Sequence, residues 1–147
     1  VVAVVFSQII SSPFWGRMAD STSRQVMLRS VQIAAGATFL AVLVTFIPFY
    51  SVRYVAYLLV FVLIGLAESG ARLGRKTYLV DAVPQADRAT YTAFSNSTIG
   101  LLAVCTGLDG FVAQWLGATV MLVFIGSVML VGVLACRQMP EADVMIE

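Results

Sequence analysis

The sequence predicts an all-α, polytopic membrane protein with five transmembrane helices. Of its 147 residues, 60% are hydrophobic and 12% are charged, whereas about a quarter of the residues of an ordinary globular domain carry a charge. The mean hydropathy is +0.93. A soluble domain of this length still exposes much of its surface to water, so it could not hide this much apolar surface. We therefore expect the lipid bilayer to surround the chain.

Five apolar stretches lie between the charged residues, and a span needs about 20 residues of helix. Helices are favoured over a barrel because these stretches are continuous and do not alternate with polar residues. The first stretch is short and begins with Val1, so we expect a preceding part of the protein to be missing. The predicted spans cover residues 1–16, 30–50, 54–75, 89–112 and 118–136, and residues 137–147 form a tail.

The basic residues predict an orientation in the membrane. Eight of the nine lie in or beside the two longer connections or in the tail, and only Arg53 lies at the other end. Because basic residues accumulate on the cytoplasmic side, we expect both connections and the C-terminus in the cytoplasm. The expected location is the inner membrane of a cell, in a multi-pass arrangement.

Composition argues against several classes of function. The chain has no histidine, the commonest general base and a common metal ligand, and its two cysteines lie in apolar runs. The net charge of +1 and the lack of a basic patch predict no nucleic-acid partner. No metalloprotease helix motif, Walker A loop or pair of intramembrane aspartates occurs. We therefore expect no enzyme, and assign no catalytic residue, metal or cofactor.

The first predicted cytoplasmic connection holds a motif made of Gly16, Arg17, Asp20 and Arg24. One interpretation is a basic hairpin that follows from membrane insertion alone. In such a hairpin Gly16 lets another helix approach closely. Asp20 is placed to cap a helix or to pair with Arg24.

The same residues resemble the G-x-x-x-D-x-x-G-R-[KR] signature of the major facilitator superfamily. Ser23 and Gln25 stand where that signature has its second glycine and its last basic residue. The resemblance implies that the motif belongs to a charge network that steadies a cytoplasmic gate.

The second connection supports this resemblance. It is similar to the Y-x-x-D-x-x-P-x-x-x-R stretch that many members carry after the fourth or tenth helix. Pro84 is expected to end a helix, and Asp87 to cap the next one. Asp81 is placed to neutralise Arg75 or Arg88. The matching residues here are Tyr78, Asp81, Pro84 and Arg88.

The resemblance implies the C-terminal six-helix half-bundle of this superfamily, with the chain corresponding to helices 8–12. Helices 2–6 have the same topology, but a basic linker would normally follow them. The implied function is secondary active transport of a small solute by alternating access, with a proton or another cation as a candidate coupling ion. The implied partners are the lipid bilayer, the solute and a missing N-terminal half. A non-transporting membrane scaffold or assembly subunit is the alternative.

Polar groups inside the predicted spans are candidates for function because burying them in lipid is costly. Glu68 and Arg72 have the spacing of an ion pair on one helix, which suits either a structural pair in the gate or proton coupling. Gln8 and Asn96 are the predicted cavity-lining groups, although such residues also hold helices together. The charges assigned to the gate and its loops are Glu68, Arg72, Arg75, Asp81 and Arg88.

Overall fold

The computed structural model describes residues 2–20 and 22–140, and it contains no strand within them. The all-helical membrane fold predicted from the sequence is therefore confirmed. The helices are α1 (Val2–Ala19), α2 (Ser23–Thr45), α3 (Tyr50–Ala82), α4 (Arg88–Gly107), α5 (Asp109–Leu116) and α6 (Ala118–Gln138).

Four helical stretches of the described part are long and apolar enough to cross a membrane. Two of them are α2 and α3, the third joins α4 to α5 over Arg88–Leu116, and the fourth is α6. The 18-residue α1 is not among them. Its sequence contains Gln8, three serines, Pro13 and Arg17.

The end of the bundle that holds the α1–α2 and α3–α4 connections is called the basic end below. At this end α2 and α3 extend beyond the predicted spans: α2 begins at Ser23 and α3 continues to Ala82. The 33 residues of α3 make a helix about 50 Å long, at 1.5 Å per residue. This exceeds a hydrocarbon core of about 30 Å, so the last turns of α3 project beyond that core.

Pro84 ends α3, as the sequence predicts. Val83, directly before it, has extended backbone angles (φ −115°, ψ 130°), because a proline disfavours helical geometry at the preceding residue. At the other end of the bundle α6 follows α5 after a single turn residue. This is Gly117, whose φ of +87° is the left-handed geometry that glycine adopts readily.

The helices α1, α3, α2 and α6 form a row in which each one packs on the next. The α4 helix stands apart, because it makes few contacts with α3 and α5 and has no buried residue. Two clusters of buried side chains fill the row. One holds Trp15, Ala19 and Val26 near the basic end, and the other holds Ala41, Val44 and Val60 near the opposite end.

Close approach of α1 to α3 depends on two glycines of α3. A Cβ atom at Gly65 would lie 2.6 Å from the carbonyl oxygen of Val4. A Cβ atom at Gly70 would lie 2.7 Å from Cε2 of Trp15. Small residues at such contacts let helix backbones come together in membranes, where dispersion and hydrogen bonds provide the attraction between helices.

Candidate functional site

The motif over residues 16–24 lies at the junction of α1 and α2, but its residues do not make the contacts predicted for them. Asp20 is exposed, follows the end of α1, and pairs through its side chain with no described residue. The residue at the N-terminal cap of α2 is Thr22. The predictions that Asp20 caps a helix or pairs with Arg24 are therefore wrong for this conformation.

Arg24 instead binds the end of α6. Its Nη1 atom donates a hydrogen bond to the carbonyl oxygen of Met139 at 2.8 Å. The hydroxyl of Tyr78, on α3, donates to the carbonyl oxygen of Pro140 at 3.2 Å. A basic residue of α2 and a tyrosine of α3 thus hold the last described residues against the basic end. Residues 141–147, most of the predicted tail, lie outside the described residues.

Gly16 does not serve as a close-packing residue here. A Cβ atom built on Gly16 would meet no other described atom within 4 Å. The close approach predicted for Gly16 is found instead at Gly65 and Gly70, which lie on α3. The reason is that Trp15, the neighbour of Gly16, occupies the face of α1 that meets α3.

Glu68 of α3 is the centre of a small polar network between α1 and α3. The predicted ion pair is present, since Nη2 of Arg72 contacts Oε1 of Glu68. The other carboxylate oxygen, Oε2, accepts a hydrogen bond of 2.8 Å from Nε2 of Gln8. Both groups of the ion pair remain about half exposed. The network joins the two helices and leaves neither oxygen of Glu68 without a donor.

A cavity of about 570 Å³ lies beside this network, between α1 and α3. Gln8, one of the two residues predicted to line a cavity for the solute, lies in its wall. Ser69 and Lys76 also line it, although the sequence predicts no such role for them. Their spacing was a usable signal, because Ser69, Arg72 and Lys76 follow at intervals of three and four residues on one face of α3.

Asn96 lines a different cavity, of about 250 Å³, between α3 and α4. Nη1 of Arg75 donates to Oδ1 of Asn96 and to Oγ of Ser95, both at 3.1 Å. These bonds are the side-chain link between α3 and α4 within the described residues. Lys76 lines both this cavity and the larger one, so the stretch from Arg72 to Lys76 separates the two.

The charge pairs predicted for the second connection do not form. Nε of Arg88 donates to the backbone carbonyl oxygen of Val83 at 3.1 Å. Asp81 is half-buried and pairs with neither Arg75 nor Arg88. Asp87 occupies the cap position of α4, as predicted, but its side chain makes no capping hydrogen bond. Arg75 therefore bonds side chains within α4, and Arg88 bonds a backbone carbonyl at the end of α3. Asp81 is the counter-ion of neither arginine.

The family model of the Major Facilitator Superfamily matches residues 1–143, which is nearly the whole chain. The chain belongs to the Major Facilitator Superfamily. No curated protein and no solved structure matches it. Members of this superfamily are membrane transporters, and the long apolar helices agree with that function.

In this superfamily member, two further side chains attach α1 to α3, and the sequence does not predict either contact. Oγ of Ser7 donates to the carbonyl oxygen of Val62 at 2.7 Å, and Nε1 of Trp15 donates to that of Leu66 at 2.9 Å. The two acceptors are one helical turn apart on α3. Ser7 therefore holds helices together, the role that polar residues often have in membranes.

We expect the substitution Arg75→Gln to loosen α4. The substitution removes a charged donor that bonds two side chains of α4. For partly exposed groups, the loss of these hydrogen bonds costs about 1 kcal/mol. Amide hydrogen exchange over residues 88–107 should then speed up about fivefold, since exchange reports local opening. The measurement is exchange mass spectrometry in lipid nanodiscs. Arg29→Gln, an exposed arginine at the same end, is the control; equal exchange in both variants would show that Arg75 does not tether α4.

Proposed function

We propose that this chain is part of a secondary active transporter that moves a small solute by alternating access. The superfamily match supports transport, and the polar contacts at the basic end support the mechanism. These contacts connect α1 to α3, α3 to α4, and the end of α6 to α2 and α3. Breaking and remaking such hydrogen bonds at one end of a bundle is a physical means of opening and closing it.

The chain contributes helices 8–12 of the C-terminal half in this proposal, and the working unit contains a second half. The exposure of α4 supports this arrangement, because none of its residues is buried. Solute sites of such transporters lie at the interface between structural repeats. Gln8 and Asn96 face the solute pathway, each from its own cavity.

The gate lies at the basic end, which faces the cytoplasm of a cell with the protein in its inner membrane. Eight of the nine basic residues support this orientation. Gly16, Arg17, Asp20 and Arg24 form one side of the gate. The charges of the other side are Glu68, Arg72, Arg75, Asp81 and Arg88.

The direct test is solute flux into proteoliposomes that contain the product of the complete gene. Radiolabelled sugars, amino acids, organic acids and phosphate are offered singly, under an imposed proton or sodium gradient. Accumulation of any of them above protein-free vesicles is the expected result. A non-transporting scaffold or assembly subunit would show no flux of any solute under either gradient.

We expect Asp20→Asn to lower transport without lowering stability. Asp20 is exposed and pairs with no described residue, so its loss should change the free energy of unfolding by no more than about 0.5 kcal/mol. In the proposed gate, Asp20 forms an ion pair only in the other gating state, and the substitution removes that pair. We expect uptake to fall about fivefold, which is the usual size of a free-energy coupling between conformational states. Asp109→Asn, near the opposite end, is the control, and unchanged uptake by Asp20→Asn would remove Asp20 from the gate.

A further inference from the structure

The cavity between α1 and α3 has an unbalanced set of polar groups. Five of the residues that line its volume of about 570 Å³ are polar or charged: Gln8, Ser12, Ser69, Arg72 and Lys76. Two of these are basic and none is acidic. A volume of this size is within the range of small-molecule sites in proteins, about 300–1,000 Å³.

The carboxylate of Glu68 neutralises only one of the two basic residues that line the cavity. Glu68 is held by Arg72 and by Gln8, one donor on each oxygen. Lys76 makes no hydrogen bond or ion pair with any described residue. It lies one turn from Arg72, and like charges at that spacing repel each other. Arg75, which borders the neighbouring cavity, adds a third positive charge to this stretch of α3.

Two hydroxyl groups complete the set of donors. Ser12 and Ser69 lie on opposite walls, one on α1 and one on α3, and neither hydroxyl bonds a described residue. Other hydroxyl side chains of these two helices do bond backbone carbonyls, as at Ser7 and Thr77. The cavity therefore offers an ammonium group, a guanidinium group and two hydroxyls. This combination suits the oxygen atoms of a carboxylate or a phosphate.

The depth of the cavity also fits a charged ligand. Arg72 lies 22 residues after the start of α3, about 33 Å along the helix at 1.5 Å per residue. Lys76 lies another turn farther. Both therefore lie near the edge of a hydrocarbon core about 30 Å thick. An anion reaches this level from water, or as a lipid headgroup, without crossing the apolar layer.

We propose that the α1–α3 cavity binds a small oxyanion, a carboxylate or a phosphate, and that it is the entry site of an anionic solute. The assignment of a solute rests on the proposed transport function, whereas the binding site itself does not. Lys76 supplies the uncompensated charge, Arg72 adds a second donor group, and the serine hydroxyls orient the bound oxygens. Glu68 lowers the net positive charge of the cavity, so that the anion binds weakly enough to dissociate.

Binding is tested on the product of the complete gene in nanodiscs made of phosphatidylcholine, which carries no net charge. The probes are ¹⁴C-succinate and ³²P-phosphate in equilibrium dialysis, and spin-labelled phosphatidylglycerol for the lipid source. The variants are Lys76→Gln and the charge-preserving Lys76→Arg. Arg29→Gln removes a positive charge at the same end but outside the cavity. Circular dichroism checks that each variant is folded, which the exposure of Lys76 favours.

The expected result is saturable binding of succinate or phosphate that Lys76→Gln weakens at least tenfold. Lys76→Arg should retain it, and Arg29→Gln should leave it unchanged. A different result would be that the free anions do not bind, while phosphatidylglycerol binds and Lys76→Gln alone weakens its binding. This result would overturn the entry site for a solute and identify a lipid-headgroup site. No binding of any probe, or equal losses in Lys76→Gln and Arg29→Gln, would overturn the oxyanion site. Both of these results are compatible with the flux of a neutral solute, and therefore neither contradicts the proposed transport function.

Discussion

Replacing Trp15 by alanine will lower the free energy of unfolding by about 3 kcal/mol, the lower end of the range for large buried aromatic residues. Trp15 has no exposed surface, and its ring packs between α1, α2 and α3. The substitution leaves a cavity at this junction and removes the hydrogen bond from Nε1 to the carbonyl oxygen of Leu66. The measurement is reversible unfolding of the protein in detergent micelles, followed by circular dichroism.

Trp115 provides the matched control, because the chain has only these two tryptophans and 79% of Trp115 is exposed. Trp115→Ala should change the free energy of unfolding by no more than about 0.5 kcal/mol. Trp15→Phe keeps most of the ring and loses the hydrogen bond, so we expect a loss of about 1 kcal/mol. If both alanine variants were equally stable, Trp15 would not be the packing centre of the basic end.

Valine at Gly65 will destabilise the bundle by about 3 kcal/mol, the upper end of the range for overpacked sites. Its Cβ atom would lie 2.6 Å from the carbonyl oxygen of Val4 and 3.0 Å from the Cα atom of the same residue. Rotation of a side chain cannot relieve a clash with backbone atoms, so α1 has to move away from α3. The same shift would strain the hydrogen bond between Ser7 and the carbonyl oxygen of Val62.

Gly100→Val is the control for this effect. Gly100 lies on α4, and a Cβ atom there would meet no described atom within 4 Å. Both substitutions change helix propensity by the same amount, so the difference between the two variants isolates the clash. Unfolding of the two variants at the same denaturant concentration would show that α1 and α3 are not closely packed at Gly65.

The fold was predictable because it depends on composition averaged over many residues. Continuous apolar stretches locate the long helices, and Pro84 locates the end of α3 with its extended residue Val83. The ends of the helices were less predictable. Charged residues mark where a helix leaves the hydrocarbon core, but the backbone hydrogen bonds continue beyond it, and α3 therefore reaches Ala82.

Contacts within one helix were predictable, whereas those between helices were not. The pair of Glu68 and Arg72 follows from a spacing of four residues, and it forms. The partners of Gln8, Arg24 and Arg75 lie between 20 and 115 residues away. Which face of a helix meets which neighbour depends on packing, so a single sequence does not identify such partners.

Packing also explains why no helix approaches closely at Gly16, the first glycine of the signature. A glycine permits close approach but does not require it. At Gly16 the neighbouring Trp15 makes the contact with α3, and the fit depends on the absence of a side chain at Gly70. The tight contact thus combines one large residue on α1 with one glycine on α3.

The most direct test of alternating access is the thiol reactivity of a cysteine placed at Ser12, in the cavity near the basic end. The two native cysteines are first replaced, as Cys105→Ser and Cys136→Ala. In proteoliposomes, a membrane-impermeant thiol reagent added on the side of the basic end should modify Ser12→Cys at a rate that changes severalfold when a transported solute or an ion gradient is applied. Ser51→Cys, in the first turn of α3, should show no such change. A rate at Ser12→Cys that is the same under every condition would contradict a gate at the basic end.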